Sequence, residues 1–103
     1  MRAVNLTEMP DGFMVLAGND RSQAATMVLQ SHEQTGGPDN RHAESDQWML
    51  VLSGTGRAVV AGEEVRLRPG LMLLIEAGET HEIRSDSAVA LRTVNIYSPP
   101  AYS

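Results

Sequence analysis

Residues 68–81, with the sequence RPGLMLLIEAGETH, carry the pattern that decides the fold. The dipeptide Pro69-Gly70 is a turn signal, and the short apolar run from Met72 to Ile75 follows it. A second turn, around Gly78, leads into another segment that begins at Thr80. Short apolar segments bounded by Gly and Pro are typical of strands, so this stretch predicts two strands of an all-β domain.

The same spacing extends along most of the chain. Apolar segments separated by Gly, Pro, Asp and Asn recur about every ten residues, as in all-β sandwiches and barrels. Between Glu64 and Arg68, Val65 and Leu67 alternate with charged residues, which predicts one buried and one solvated face. The polar segment from Thr35 to Asn40 is predicted to be a loop. Strands are predicted near Phe13–Ala17, Ala25–Gln30, Trp48–Ser53, Arg57–Ala61, Glu64–Arg68, Met72–Ile75, Thr80–Arg84 and Val89–Tyr97.

Length and composition predict a small soluble protein. The 103 residues suit one domain spanning residues 1–103. A net charge of -5 argues against nucleic acid and anionic membranes as partners, because both attract clustered Lys and Arg. The N-terminus lacks a secretory signal pattern and no apolar run is long enough to cross a bilayer, so we expect a cytoplasmic protein. The absence of Cys leaves His, carboxylate, amide and hydroxyl groups for any chemistry.

The most informative polar residues are two of the three histidines. His42 follows the polar segment just before a strongly apolar strand, and His81 follows the turn around Gly78. On a strand, Asn40 and His42 would point to the same face because they are two residues apart. A turn after His42 would bring Gln47 alongside on the next strand. These residues are therefore candidates for one pocket.

The stretch that ends at His81 resembles the second motif of the cupin superfamily. That motif has a glycine, five residues, a proline, any residue, a glycine, two residues and a histidine. Gly70, Gly78 and His81 stand at the matching positions in this chain, and Glu76 replaces the proline.

The stretch around His42 resembles the first cupin motif less completely. The last glycine of that motif aligns with Gly54. Counting back from it places Gln47 where the family has its glutamate, His42 at the second histidine and Asn40 at the first. The resemblance implies a double-stranded β-helix, that is, a jelly-roll barrel, and small cupins commonly form homodimers.

The resemblance also implies a metal site inside the barrel. A full cupin set of three His and one Glu is negatively charged, whereas the matching residues of this chain are neutral. We therefore expect weak or moderate binding of a divalent transition metal such as Zn, Fe, Ni or Mn. The implied ligands are Asn40, His42, Gln47 and His81.

The sequence is compatible with several hypotheses about the ligands and function of the site. His42, Glu44 and His81 have the order of a two-His, one-carboxylate triad of non-haem iron oxygenases, although the cupin alignment favours the amide-containing set. In an enzyme the metal would act as a Lewis acid or activate oxygen, with Glu44 as a candidate general base. Alternatively, the protein is a non-catalytic module that binds or senses a small polar molecule. A third hypothesis is an assembly domain whose exposed apolar strands pair subunits.

Overall fold

The chain folds entirely as β-structure. A computed structural model describes residues 1–102, except for the side chains of residues 38–41. Within this range there are nine strands and no helix, which confirms the predicted fold class. The strands are β1 (Gly12–Gly18), β2 (Gln23–Leu29), β3 (Gln34–Arg41), β4 (Asp46–Ser53), β5 (Gly56–Val60), β6 (Glu63–Leu67), β7 (Met72–Ile75), β8 (Thr80–Ser85) and β9 (Leu91–Ser98).

The strands form two antiparallel sheets. The five-stranded sheet has the order β1-β2-β9-β4-β7, and the four-stranded sheet has the order β3-β8-β5-β6. This arrangement is that of a double-stranded β-helix. Gly54, in the turn between β4 and β5, has a φ of +78°, and a Cβ atom there would lie 2.5 Å from the carbonyl oxygen of Ala90. Only glycine fits such a position without strain.

Strand β3 corrects one prediction. The segment from Thr35 to Asn40 was expected to be a loop, but it lies within β3, which pairs with β8 and sets Thr35 opposite Ile83 and Gly37 opposite His81. The register shifts between Gly37 and Arg41, so the strand is irregular. Sheet pairing here overrides the weak strand propensity of Gly and Pro, because propensity for strands depends strongly on context.

The space between the sheets is apolar over most of its length and polar at one end. On β4, Met49 and Val51 are buried while Trp48 is 42% exposed, because successive side chains of a strand point to opposite faces. The apolar core formed by both sheets consists of Met27, Leu29, Met49, Val51, Ala58, Leu67, Ile75, Ile83 and Leu91. At the other end, the inward positions carry Gln47, His81 and Asn95, which are all buried. The fold therefore brings these three buried polar side chains, from β4, β8 and β9, to the same end of the space between the sheets.

No helix in the described part of the chain is long and apolar enough to cross a membrane.

Candidate functional site

His42 and His81 lie side by side at the polar end of the barrel. His81 is on β8 and is 5% exposed, and His42 follows β3 and is partly buried. The centroids of their rings are 5.3 Å apart, and the ring planes are inclined by 31°. Two imidazoles 39 positions apart in the sequence are thus brought into one site.

Hydrogen bonds from the turn around Gly78 hold the two histidine-bearing segments together. The amide N–H of Gly78 donates to the carbonyl oxygen of His42 at 2.8 Å. The N–H of Ala77 donates to Oδ1 of Asp46 at 2.9 Å. Gly78 has a φ of +85°, a conformation that glycine adopts without cost, and this lets the turn present its N–H groups. The turn that precedes His81 therefore serves as the support for the segment that carries His42.

Gln47 completes the group of polar side chains. It is an inward residue of β4 and is 3% exposed. Its Nε2 donates a hydrogen bond to Oδ1 of Asn95 at 3.0 Å. Its Oε1 is buried and has no hydrogen-bond partner among the described residues. Leaving a buried acceptor unsatisfied costs about 1–3 kcal/mol, so this oxygen calls for an explanation.

The side chains of His42, Gln47 and His81 line one cavity of about 250 Å³. A wider groove of about 360 Å³ lies at Arg2 and Gly18, but it contains neither histidine. The inner cavity is the better candidate because it combines two imidazoles with an unsatisfied amide oxygen. The cavity is lined by Phe13, Met27, Thr35, His42, Gln47, His81, Ile83, Tyr97 and Tyr102.

Burial keeps the titratable groups of this cavity neutral. Desolvation lowers the pKa of His42, and the neighbouring His81 lowers it further. Desolvation also lowers the pKa of His81, although its hydrogen bond with the Glu79 carbonyl acts in the opposite direction. Burial, and then the nearby Tyr102, raise the pKa of Tyr97. At neutral pH the cavity therefore presents unprotonated imidazoles and an intact phenol.

The C-terminal segment closes one side of the cavity. The side-chain amide of Gln23 pairs with the backbone of Tyr102: Nε2 donates to the carbonyl oxygen at 2.7 Å, and Oε1 accepts from the N–H at 3.0 Å. This pairing places the Tyr102 hydroxyl 3.3 Å from Nε2 of His42. The C-terminal tail runs from Ser98 to Ser103. As far as Tyr102 it packs on its own barrel, and Ser103 lies outside the described residues.

The other two predicted site residues are Asn40 and Glu44. The side chain of Asn40 lies outside the described residues. Glu44 is exposed and lines a separate outer cavity of about 330 Å³, which it shares with His42. Across the described residues, no three His, Asp or Glu side chains lie close enough to hold a metal ion together. The structure therefore does not assemble a triad of His42, Glu44 and His81.

Sequence reasoning missed the contribution of β9 to the site. This strand turns Thr93, Asn95 and Tyr97 inward, and all three are buried. The sequence signal pointed to the wrong side, because alternation of polar and apolar residues predicts that the polar ones, Thr93 and Asn95, face solvent. Tyr102 had no comparable signal, since its place at the cavity depends on tertiary contacts such as the pairing with Gln23.

The donor set fits a weakly held divalent metal. Neutral imidazole is the ligating form of histidine, and the Oε1 of Gln47 offers an unused lone pair. Two imidazoles that share one metal, with metal–nitrogen distances of about 2.1 Å, place their ring centroids roughly 5 Å apart. The separation of the rings of His42 and His81 agrees with that value.

Comparison with known proteins identifies the sequence and fold relatives of this chain. A family model described as a cupin domain matches residues 25–97. A search of curated proteins finds no match.

Solved structures share the fold at low sequence identity. The crystal structure of BH2720 from Bacillus halodurans is 24% identical, with a TM-score of 0.84 over 90% of this chain and 74% of that one. An RmlC-like cupin protein from Desulfovibrio desulfuricans is 18% identical, with a TM-score of 0.81 over 97% of this chain and 98% of the other. KdgF from Halomonas sp. is 22% identical, with a TM-score of 0.76 over 85% and 77% of the two chains. At these identities the likeness establishes the fold alone.

Proposed function

Because the chain belongs to the cupin family, we propose that its barrel binds a divalent transition metal and presents it to a small polar molecule. The proposed ligands are His42, His81 and Gln47, with Asn40 as a further candidate from the motif alignment. The metal is one of those that imidazole nitrogen binds readily, namely Zn, Fe, Ni or Mn. When bound, it supplies Lewis acidity to a ligand in the cavity.

The observation that carries this proposal is the unsatisfied Oε1 of Gln47 beside two neutral imidazoles. A metal ion would use that lone pair and offset the cost of burying it. Since the described lining contains no carboxylate, the binding should be weaker than at a site with three His and one Glu. The same neutrality favours an uncharged organic ligand, because a buried charge without a partner is strongly disfavoured.

The cavity walls define what the chain itself contributes. Phe13, Tyr97 and Tyr102 form a cluster of rings, with centroids 4.6 to 6.4 Å apart. This cluster, together with Met27 and Ile83, gives the cavity apolar walls beside the imidazoles. The hydroxyl groups of the two tyrosines provide hydrogen-bonding partners at the edge of the same space. A small, flat, uncharged molecule with polar substituents suits such walls.

Metal titration tests the proposal directly. Calorimetry with Zn²⁺ and Ni²⁺ should give saturable binding to the wild type and a loss of binding in the double variant His42→Ala/His81→Ala. His32→Asn is the matched control, because His32 lies outside the cavity and has a φ of 65° that Asn tolerates. It should bind like the wild type. Equal uptake by the wild type and the double variant would overturn the proposal.

A metal-free binding module is the second candidate function. It is favoured by the fully neutral, ring-rich lining of the cavity, which needs no ion to hold an uncharged molecule. A thermal-shift screen of uncharged small molecules, run with and without a chelator, separates the two functions. Stabilisation that persists in the chelator and disappears in Gln47→Leu supports the module. Stabilisation that requires added metal supports the metal site.

We also propose that two copies associate through the outer face of the five-stranded sheet. Trp48 lies opposite Leu74 on one side and Ile96 on the other, and these side chains are 36–42% exposed. Met72, on the same sheet, is 58% exposed. An apolar, uncharged patch is self-complementary, which suits a symmetric dimer.

A further inference from the structure

A chain of buried hydrogen bonds runs across the five-stranded sheet, from Gln47 on β4 through β9 to β2. Nε2 of Gln47 donates to Oδ1 of Asn95 at 3.0 Å, and Nδ2 of Asn95 donates to Oγ1 of Thr93 at 3.0 Å. Oγ1 of Thr93 then donates to the backbone carbonyl oxygen of Met27 at 3.4 Å. The three side chains are at most 3% exposed. We call this series the polar relay.

The polar relay has a direction because it ends on a carbonyl oxygen. The carbonyl oxygen of Met27 can only accept a hydrogen bond, so the hydroxyl of Thr93 donates its single proton to it. The same hydroxyl must therefore accept a hydrogen bond from Asn95. Asn95 therefore turns its amide nitrogen to Thr93 and its oxygen to Gln47. Gln47 in turn must face Asn95 with its nitrogen, because two amide oxygens would repel each other.

We propose that Thr93 and Asn95 are positioning residues that hold the amide of Gln47 with its oxygen directed to the ligand. This inference rests on the proposed function of the cavity, since it concerns the same site. It deepens that function by specifying which kind of ligand group binds next to the side-chain oxygen of Gln47. The atom that contacts Oε1 of Gln47 must be electron-poor, either a metal ion or the hydrogen of an O–H or N–H group. A carboxylate or carbonyl oxygen is rejected at this position.

The neighbourhood of the polar relay prevents its members from finding other partners. Asn95 lies opposite Met49 on one side and Ala25 on the other, and Thr93 lies opposite Val51 and Met27. These neighbours offer no side-chain hydrogen-bonding group apart from the weak thioether sulfurs. Each amide of the polar relay is therefore oriented by the next member, and the loss of one member should affect the others.

Nuclear magnetic resonance of the side-chain amides tests this orientation without any ligand. Thr93→Val keeps the shape of the side chain and removes the hydroxyl, whereas Thr93→Ser keeps the hydroxyl. In the metal-free protein, Thr93→Val should shift the side-chain amide signals of Asn95 and Gln47 and speed their exchange with water. Thr93→Ser should resemble the wild type, and backbone amide signals distant from the polar relay should be unchanged in both. Unaltered Gln47 side-chain signals in Thr93→Val would overturn the inference.

A titration with Ni²⁺ tests the consequence for binding. Outer partners that orient a metal ligand are typically worth 10–100-fold in affinity, so Thr93→Val should weaken Ni²⁺ binding by about tenfold. Thr93→Ser should restore it. Ni²⁺ affinity that is equal in Thr93→Val and in the wild type would refute the positioning role. If the wild type binds no metal, the proposed metal function fails, and the resonance experiment still decides whether the polar relay orients Gln47.

Discussion

Gln47 stands where the cupin motif has a carboxylate, and its neutrality limits the affinity for a cation. Ligand charge is one of the main determinants of metal affinity. We therefore expect Gln47→Glu to raise Zn²⁺ affinity by about tenfold or more. The metal-free variant should be less stable by about 1–3 kcal/mol, because the new carboxylate faces the oxygen of Asn95.

Calorimetry and urea unfolding of the same variant measure these two effects. Gln47→Leu is the control, since it has nearly the same size and no oxygen, and it should bind Zn²⁺ more weakly than the wild type. A Gln47→Glu protein with wild-type affinity would exclude residue 47 from the metal site.

The two cavity histidines should make the metal-free protein sensitive to acid. Their pKa values in the folded state lie below the ordinary value of 6.5, so the unfolded chain binds protons first as the pH falls. The free energy of unfolding should therefore decrease from pH 7.5 down through the folded-state pKa values. Urea titrations at pH 7.5 and 5.5 measure the decrease. It should be smaller in His42→Ala/His81→Ala, and an identical decrease in both proteins would contradict this account.

At the scale of elements, the segment from His42 to Asp46 depends on the turn before β8. The carboxylate of Asp46 accepts a hydrogen bond from the N–H of Ala77, and both groups belong to loop or strand-end positions. Asp46→Ala should cost about 1 kcal/mol of stability and weaken metal binding, because His42 loses part of its support. Asp46→Asn keeps an acceptor and should lose less of both. Equal losses in the two variants, measured by urea unfolding and calorimetry, would point to charge instead of the hydrogen bond.

The C-terminal segment competes with a ligand for His42. A metal that binds Nε2 of His42 must displace the hydroxyl of Tyr102. A hydrogen bond of this kind contributes about 0.5–1.5 kcal/mol, so Tyr102→Phe should strengthen Zn²⁺ binding by about two- to tenfold. Gln23→Leu, which removes the pairing that holds Tyr102 in place, should act in the same direction. Weaker binding in Tyr102→Phe would instead make the hydroxyl part of the site.

At the scale of the whole molecule, the outer face of the five-stranded sheet is the proposed contact between two copies. Leu74→Glu would place a charge from each copy within this contact and should convert a dimer into a monomer, as measured by light scattering during size-exclusion chromatography. Val59→Glu is the matched control. Val59 is 36% exposed, close to the 37% of Leu74, but it lies on the four-stranded sheet. A Leu74→Glu protein that remains dimeric would move the contact to another face.

The spacing of turns and apolar residues was enough to predict every strand except β3, and the resemblance of the stretches around His42 and His81 to the cupin motifs indicated the family. Alternation predicts which side of β6 is buried, and Gly54 and Gly78 mark turns that require a positive φ. His42, Gln47 and His81 could be chosen as candidates from motif spacing alone. Strand β3 could not be predicted, because its residues become a strand only through pairing with β8.

The arrangement of polar groups in the cavity is decided by contacts between segments that are distant in the chain. Residues 42 and 81 meet because a turn on one segment donates hydrogen bonds to the other. The orientation of Gln47 depends on Asn95, Thr93 and a backbone carbonyl on β2, and Tyr102 reaches His42 by pairing with Gln23. A sequence records which groups are available, but the partner of each buried group is set by the packing of strands that are far apart in the chain.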